Sequence, residues 1–315
     1  MQMLKDWRFF AHHPDAAAMA LIPLSAHVFW TYFAAVALLA MGTAIICKNE
    51  LAHRRGSEKI LPFGRLFFAI AMAVFGADHL TDAANIARLV PAWMPAHLFW
   101  TYLVGVALIA AALSITLKKH ARLAAILLGS MLLLFIAMLH IPNLVGQPRD
   151  RVLWLTGLRD LAFSAGAFAF AASQRRTGPA SGWIVTAARF VIGAAAFLFG
   201  VEDFLHPAVA PGVPLDLITP TWIPGHLLWA YLSGAVLVAC GACLLMNVKS
   251  RLAATYLGIM VLIVVIFIYL PILFSNPSDV DNGLNYVVDT LAFSGSALIL
   301  AGALGSPISS AASAK

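Results

Sequence analysis

Ionisable side chains are scarce in this chain, and inside its apolar stretches they gather in two matched sets. Asp78 and His79 close one apolar run, His140 closes another, and Arg159 and Asp160 interrupt a third. Glu202, Asp203 and His206 close a run like the first, and Asp289 interrupts a run like the third. Carboxylates, imidazoles and one guanidinium in a low-dielectric setting are suited to holding a proton or binding a quinone or another small ligand. The structural alternative has Arg159 paired with Asp78 or Asp160, and the histidines capping outer helix ends. The residue before Asp289 is Val288, so the second set offers no arginine of its own. Glu202, Asp203 and Asp289 are therefore expected to converge with His206 and His226 as their only nearby cations, one acid staying protonated near neutral pH.

Other chemistry is less well supplied. His27, His97 and His226 begin three matching segments, which suggests a hydrogen bond to the preceding loop rather than metal ligation. Histidines on facing helices can hold haem, but these lie near the surface end. Cys240 and Cys243 are one helical turn apart in an apolar segment, where Ala111 and Ser114 are their counterparts; small interface residues account for all four. The three cysteines define no disulfide framework. There is no nucleophilic triad, phosphate-cradling glycine loop or zinc-type spacing, so no catalytic or metal-ligating residue is assigned and the cofactor stays open.

The elements that position these residues are helices in a membrane. Of 315 residues, 62% are hydrophobic and 11% charged, against roughly 25% charged in a soluble domain. The apolar periodicity predicts about nine transmembrane helices, over 26–47, 65–80, 97–117, 122–141, 154–173, 187–205, 226–246, 252–273 and 286–304, each long enough for the hydrocarbon layer. Alternating ten-residue segments are missing, which excludes a closed β-barrel. The first apolar run is too long for a signal peptide and is read as retained.

Fourteen of the twenty Lys and Arg fall in one alternate set of connections, including Lys48, Arg54, Arg55, Lys118, Lys119, Arg175, Arg176, Lys249 and Arg251. The positive-inside rule then places the N-terminus outside and the C-terminus in the cytoplasm of a bacterial inner membrane. The net charge of +6 serves this orientation, and no aromatic-interleaved basic patch points to nucleic acid. Asp78 and His79 follow Arg65 by 13 and 14 residues, so they sit roughly 20 Å from the cytoplasmic edge. Asp160 and Asp289, read as counterparts, come to a similar depth. Trp30, Trp100 and Trp229, with Tyr32, Tyr102 and Tyr231, fit an interfacial aromatic belt.

The chain repeats itself. RLFFAIAMAVFG (65–76) resembles RFVIGAAAFLFG (189–200), VPAWMPAHLFWTYLVG (90–105) resembles TPTWIPGHLLWAYLSG (219–234), and RLAA and LAFS recur in the same order. Trp93 and Trp222, His97 and His226, and Pro142 and Pro271 are each 129 apart, while the first pair is offset by 124, so the second unit has five extra residues in its first outer loop. AHVFWTY (26–32) matches AHLFWTY (96–102) and marks a third, partial copy. The organisation expected is a partial repeat with one helix over 1–64, a four-helix unit over 65–174, a linker over 175–188, a second unit over 189–305 and a tail over 306–315. Each unit has an even number of spans, so the repeats are parallel, about an axis along the membrane normal.

The order of motifs within a unit resembles the DoxX-like family of small four-helix bacterial membrane proteins. An Arg-started helix ends in F-G-x-x-H/D, a loop reaches P-x-W-x-P, a Y-x-x-G helix follows, and a basic turn leads into R-L-A-A. The resemblance covers 65–174 and 189–305 and implies two fused copies, with a lean towards quinol or thiosulfate oxidation or membrane thiol-redox complexes. Members often carry an acid shortly after the Y-x-x-G glycine; LVGVALIAAAL and LSGAVLVACGA have none. Three readings follow. The resemblance favours a non-catalytic or accessory subunit of a membrane redox or respiratory system, partnered by other subunits or quinone. The buried acids and duplicated bundle favour a carrier of a small solute or proton. The third is a quinone-linked oxidoreductase.

Overall fold

The computed structural model describes residues 24–52, 54–174 and 182–305. The expected loop before 24, the 175–181 part of the linker and the 306–315 tail lie outside the described residues. Among the described residues the regular structure is all helix, apart from one antiparallel bridge between Val209 and Ile218. Nine long helices run in order: α1 (Leu24–Asn49), α2 (Leu61–Thr81), α3 (His97–Leu117), α4 (Ala121–Gly146), α5 (Arg151–Ser173), α6 (Gly182–Leu205), α7 (His226–Leu245), α8 (Ser250–Ser275) and α9 (Val280–Ala303). Eight are long and apolar enough to cross a membrane. The ninth, α5, carries Arg159 and Asp160 in its middle, which lowers its mean hydropathy. Large apolar side chains such as Leu127, Leu134, Phe190 and Phe267 stay exposed, as suits a bundle solvated by lipid chains. The protein is an integral membrane protein.

Short connections make sequence neighbours antiparallel, and α2 to α9 pack in a closed circuit, each on the next, with α9 returning to α2. Helices α5 and α9 also pack on each other across the middle, and α1 lies against α2. The first helix of each sequence repeat (α2, α6) thus packs on the last helix of the other (α9, α5) more than on the last helix of its own. Small residues permit this closeness. A Cβ on Gly76 would stand 2.8 Å from the Gly105 carbonyl oxygen where α2 crosses α3, and one on Gly200 would stand 2.7 Å from that of Gly234 where α6 crosses α7.

Helices α4 and α8 each contain a wide turn, Ile136–His140 and Val265–Tyr269, just before Pro142 and Pro271. A proline ring displaces the carbonyl a turn earlier and supplies no N–H, so the helix widens there. His140 and Tyr269 sit at those turns.

The basic connections are pinned. Arg65 grips Glu50 with both Nη atoms, at 2.9 and 2.6 Å, and Lys118 approaches the same carboxylate at 3.1 Å. Burial alone would raise the Glu50 carboxyl, but the Arg65 and Lys118 cations hold it below the usual carboxylate range. Arg189, in the matching place, instead donates to the carbonyls of Leu244 and Leu245, at the end of α7 where the helix dipole favours a cation.

Candidate functional site

The candidate acids, histidines and Arg159 lie in the other half of the bundle, towards the end where α1, α3, α5, α7 and α9 begin and α2, α4, α6 and α8 end. They form three groups there.

The central group spans α4, α5 and α9. Arg159 donates through Nε to Asp160 Oδ1 at 2.9 Å and through Nη1 to Asp289 Oδ2 at 2.6 Å. His140, at the widened turn of α4, meets Asp160 Oδ2 at 2.7 Å. The guanidinium also lies 5.8 Å from the Phe163 ring centroid, a cation–π contact. Asp289 Oδ1 is buried with no partner among the described residues. Of the two pairings expected for Arg159, Asp160 is found and Asp78 is not. The second carboxylate is Asp289, which corrects the expectation that this acid has no arginine: the arginine comes from the other repeat, because α5 and α9 pack face to face.

The register explains the geometry. Ser164 donates to the Gly129 carbonyl at 2.9 Å, and Ser294 donates to the Gly258 carbonyl at 2.7 Å. Five residues before each serine stand Arg159 and Asp289. These two, not Asp160 and Asp289, are therefore counterparts, and they meet each other. Asp160 corresponds to Thr290, beside which the Tyr269 hydroxyl lies, as His140 lies beside Asp160.

The second group is built by the connection from α6 to α7, which carries the five extra residues. It folds back on itself, with Ala210 N–H donating to Leu217 O at 2.7 Å and Thr219 N–H to Ala208 O at 2.9 Å, and buries residues 209–215. The Tyr269 hydroxyl lies 3.2 Å from Ala210 O and 3.1 Å from Pro211 O. Gly212, at φ +94°, donates its N–H to Asp203 Oδ2 at 3.3 Å. Tyr286 donates to Asp216. Arg151 donates to Pro214 O at 2.7 Å, to Leu215 O, and to Glu202 Oε2 at 3.3 Å; His206 meets the same oxygen at 2.9 Å. So His206 does face Glu202, but the principal cation is Arg151, again from the first repeat. Asp203 has no ion-pair partner among the described residues, and Tyr269 lies near both it and Asp289. His226 is half-buried at the start of α7 and does not join the acids.

The third group, not foreseen as a unit, joins α1, α2 and α9. His27 Nδ1 lies 2.8 Å from Thr81 Oγ1, and its Nε2 lies 3.5 Å from Asp78 Oδ1. Asp281 completes the set. His27 therefore bonds to α2; the loop before its own helix, to which a bond was expected, lies outside the described residues. Just beyond the membrane span, Asn85 donates to Asp82 at 2.8 Å, and burial together with the Asp281 carboxylate pushes the Asp82 carboxyl up to about 6. His79 turns away to the Phe75 carbonyl at 2.7 Å, and His97 is half-buried at the start of α3.

The aromatic and cysteine residues are placed simply. Trp30 and Trp100 are exposed near the same end, Trp229 stacks on Phe267, and Tyr32 donates to Pro277 O at 2.8 Å. Cys47, Cys240 and Cys243 are free thiols. No family model, curated protein or solved structure matches the chain.

Proposed function

We propose that the protein is a proton-handling carrier of a bacterial inner membrane, moving a proton, or a small solute together with one, through the Arg159 cluster. One observation carries this: the cluster's fixed charges do not cancel. Arg159 supplies one positive charge against the two carboxylates Asp160 and Asp289, with His140 on Asp160. An apolar surrounding favours a neutral set, so one further proton is required on His140 or an acid. A proton shared over hydrogen-bonded partners of comparable basicity is one that can be exchanged. The parallel duplication, supported by the recurring Ser–Gly contacts and widened turns, supplies the two halves between which the cluster sits. The basic loops at the opposite end favour an N-terminus outside.

The motif order shared with DoxX-like proteins supports the second reading, an accessory subunit of a redox or respiratory system docking beside other subunits or quinone. Reconstitution separates the two. Liposomes loaded with a pH-sensitive dye and driven by a potassium diffusion potential should acidify faster with the protein than without, and Asp160→Asn should abolish the difference. A wild-type rate equal to that of empty liposomes would sink the proton-carrier reading and leave the accessory one.

A further inference from the structure

We propose that His27, Asp78 and Asp281 bind a divalent transition-metal ion that ties α1 to α2 and α9. The site is distinct from the Arg159 cluster and does not depend on the reading given to it.

The argument begins with Thr81. Its hydroxyl donates its single hydrogen to the Ala77 carbonyl at 2.7 Å. Towards His27 it can only accept, so the proton of the imidazole is on Nδ1, 2.8 Å away. The neutral ring then presents the lone pair of Nε2 to Asp78 and Asp281. A lone pair aimed at two carboxylates is repulsive unless a cation or a proton stands between them. The Nδ1–H held by an outer partner and Nε2 turned to the site is the arrangement that orients metal-binding histidines.

The distances agree. Nε2 and Asp78 Oδ1 are 3.5 Å apart, too far for a good N–H···O hydrogen bond. Ligand atoms about 2.0–2.2 Å from a tetrahedral ion are separated from each other by about 3.3–3.6 Å. All three ligand atoms lie within 4.8 Å of one another, so a small closure by the exposed Asp281 completes the set. Asn285 stands beside Asp78, and its Oδ1 is buried with no partner among the described residues, an orphaned acceptor at the same place. Asp82 adds a further negative charge close to Asp78, with Arg88 beside it. One imidazole and two carboxylates suit Zn²⁺ or Mn²⁺ better than Ca²⁺ or Mg²⁺, which prefer oxygen alone. Water would take the remaining positions, since Asp281 opens to the outside of the bundle.

The test uses full-length protein in mild detergent, purified without a histidine tag, stripped with EDTA and titrated with ZnCl₂ by calorimetry. One Zn²⁺ per chain is expected, with a rise in melting temperature. Asp281→Asn and His27→Gln should each weaken binding at least tenfold, and Thr81→Val, which touches no metal, about tenfold. His120→Gln, at the opposite end, should leave binding unchanged. Asp281 is exposed, so its variant tests the site without threatening the fold. Stoichiometry near zero, or affinity unchanged in both Asp281→Asn and His27→Gln, overturns the proposal. Ca²⁺ binding as tightly as Zn²⁺ overturns the transition-metal assignment.

Discussion

Removing the Arg159 side-chain charge should cost more stability than removing either acid it holds. In Arg159→Met both Asp160 and Asp289 lose their guanidinium contacts, at 2.9 and 2.6 Å. Each pair, with charge centres about 4 Å apart and an effective dielectric constant near 20, is worth about 4 kcal/mol of attraction, from which desolvation must be subtracted. Stranding buried charge this way costs about 3–5 kcal/mol. Asp289→Asn leaves Arg159 held by Asp160 and should cost only about 1–3 kcal/mol. The double variant removes one of the two stranded acids, so it should be more stable than Arg159→Met alone, with a coupling of about 1 kcal/mol or more. Unfolding in detergent, titrated with dodecyl sulfate and followed by tryptophan fluorescence, measures all three against the lipid-facing control Leu127→Ala. Arg159→Met within about 0.5 kcal/mol of wild type, or no coupling in the cycle, would refute the view that this cluster joins the two repeats.

The Glu50 clasp should make stability depend on acid. Its folded carboxyl is held below the ordinary value of 4.5, so its contribution is complete above that pH and is lost as pH falls through the lower folded value. Glu50→Gln should therefore cost about 1–2 kcal/mol at neutral pH and progressively less as the pH falls below 4.5, read from dodecyl sulfate midpoints across that range. Two substitutions should loosen the buried α6–α7 connection. Gly212→Ala meets only ordinary contact, nearest Val264 Cγ1 at 3.5 Å, so its cost of about 1–2 kcal/mol is the strain of φ +94°. Tyr269→Phe loses the hydroxyl near the Ala210 and Pro211 carbonyls, about 1 kcal/mol. Both should speed proteinase K cleavage within 206–225 several-fold, and unchanged rates in both would show that these contacts do not hold the loop.

The nine helices were legible because an apolar stretch that crosses a bilayer has little alternative, and the polar residues at one end were legible by counting 1.5 Å steps from the basic loops. Partners were not. Arg159 was assigned to its own repeat and Arg151 was given no partner, since a sequence repeat suggests a unit closed on itself, whereas the packing of α5 on α6 and α9 hands both arginines to acids of the other repeat. The His27 group was missed for a related reason. It draws one residue from each of three distant segments, and His27 was weighed only beside its look-alikes His97 and His226. The available signal was that Thr81, Asp78 and Asp281 all fall at the helix ends that meet the start of α1. Glu50 gave no sign, because an acid in a basic loop looks solvated until the turn brings it back to Arg65.

The one-residue change of offset between the repeats, 129 up to Pro271 and 130 at Ser294, decides which side chains confront each other. On the proposed parallel repeat, an axis between α5 and α9 brings equivalent positions together, and identical residues there would set like charges in contact. Arg159 against Asp289 avoids that, which two separate identical chains could not do. The neighbouring positions diverge in step: His140 with Asp160 is an ionisable pair on one side, and Tyr269 with Thr290 is a hydroxyl pair on the other. The hydroxyl side is also the one filled by the buried 209–215 segment, to which Tyr269 is bonded. On the proposed function, the first repeat would carry the exchangeable proton and the second the buried 209–215 segment, and any path for a proton or small ligand should open beside His140 rather than beside Tyr269.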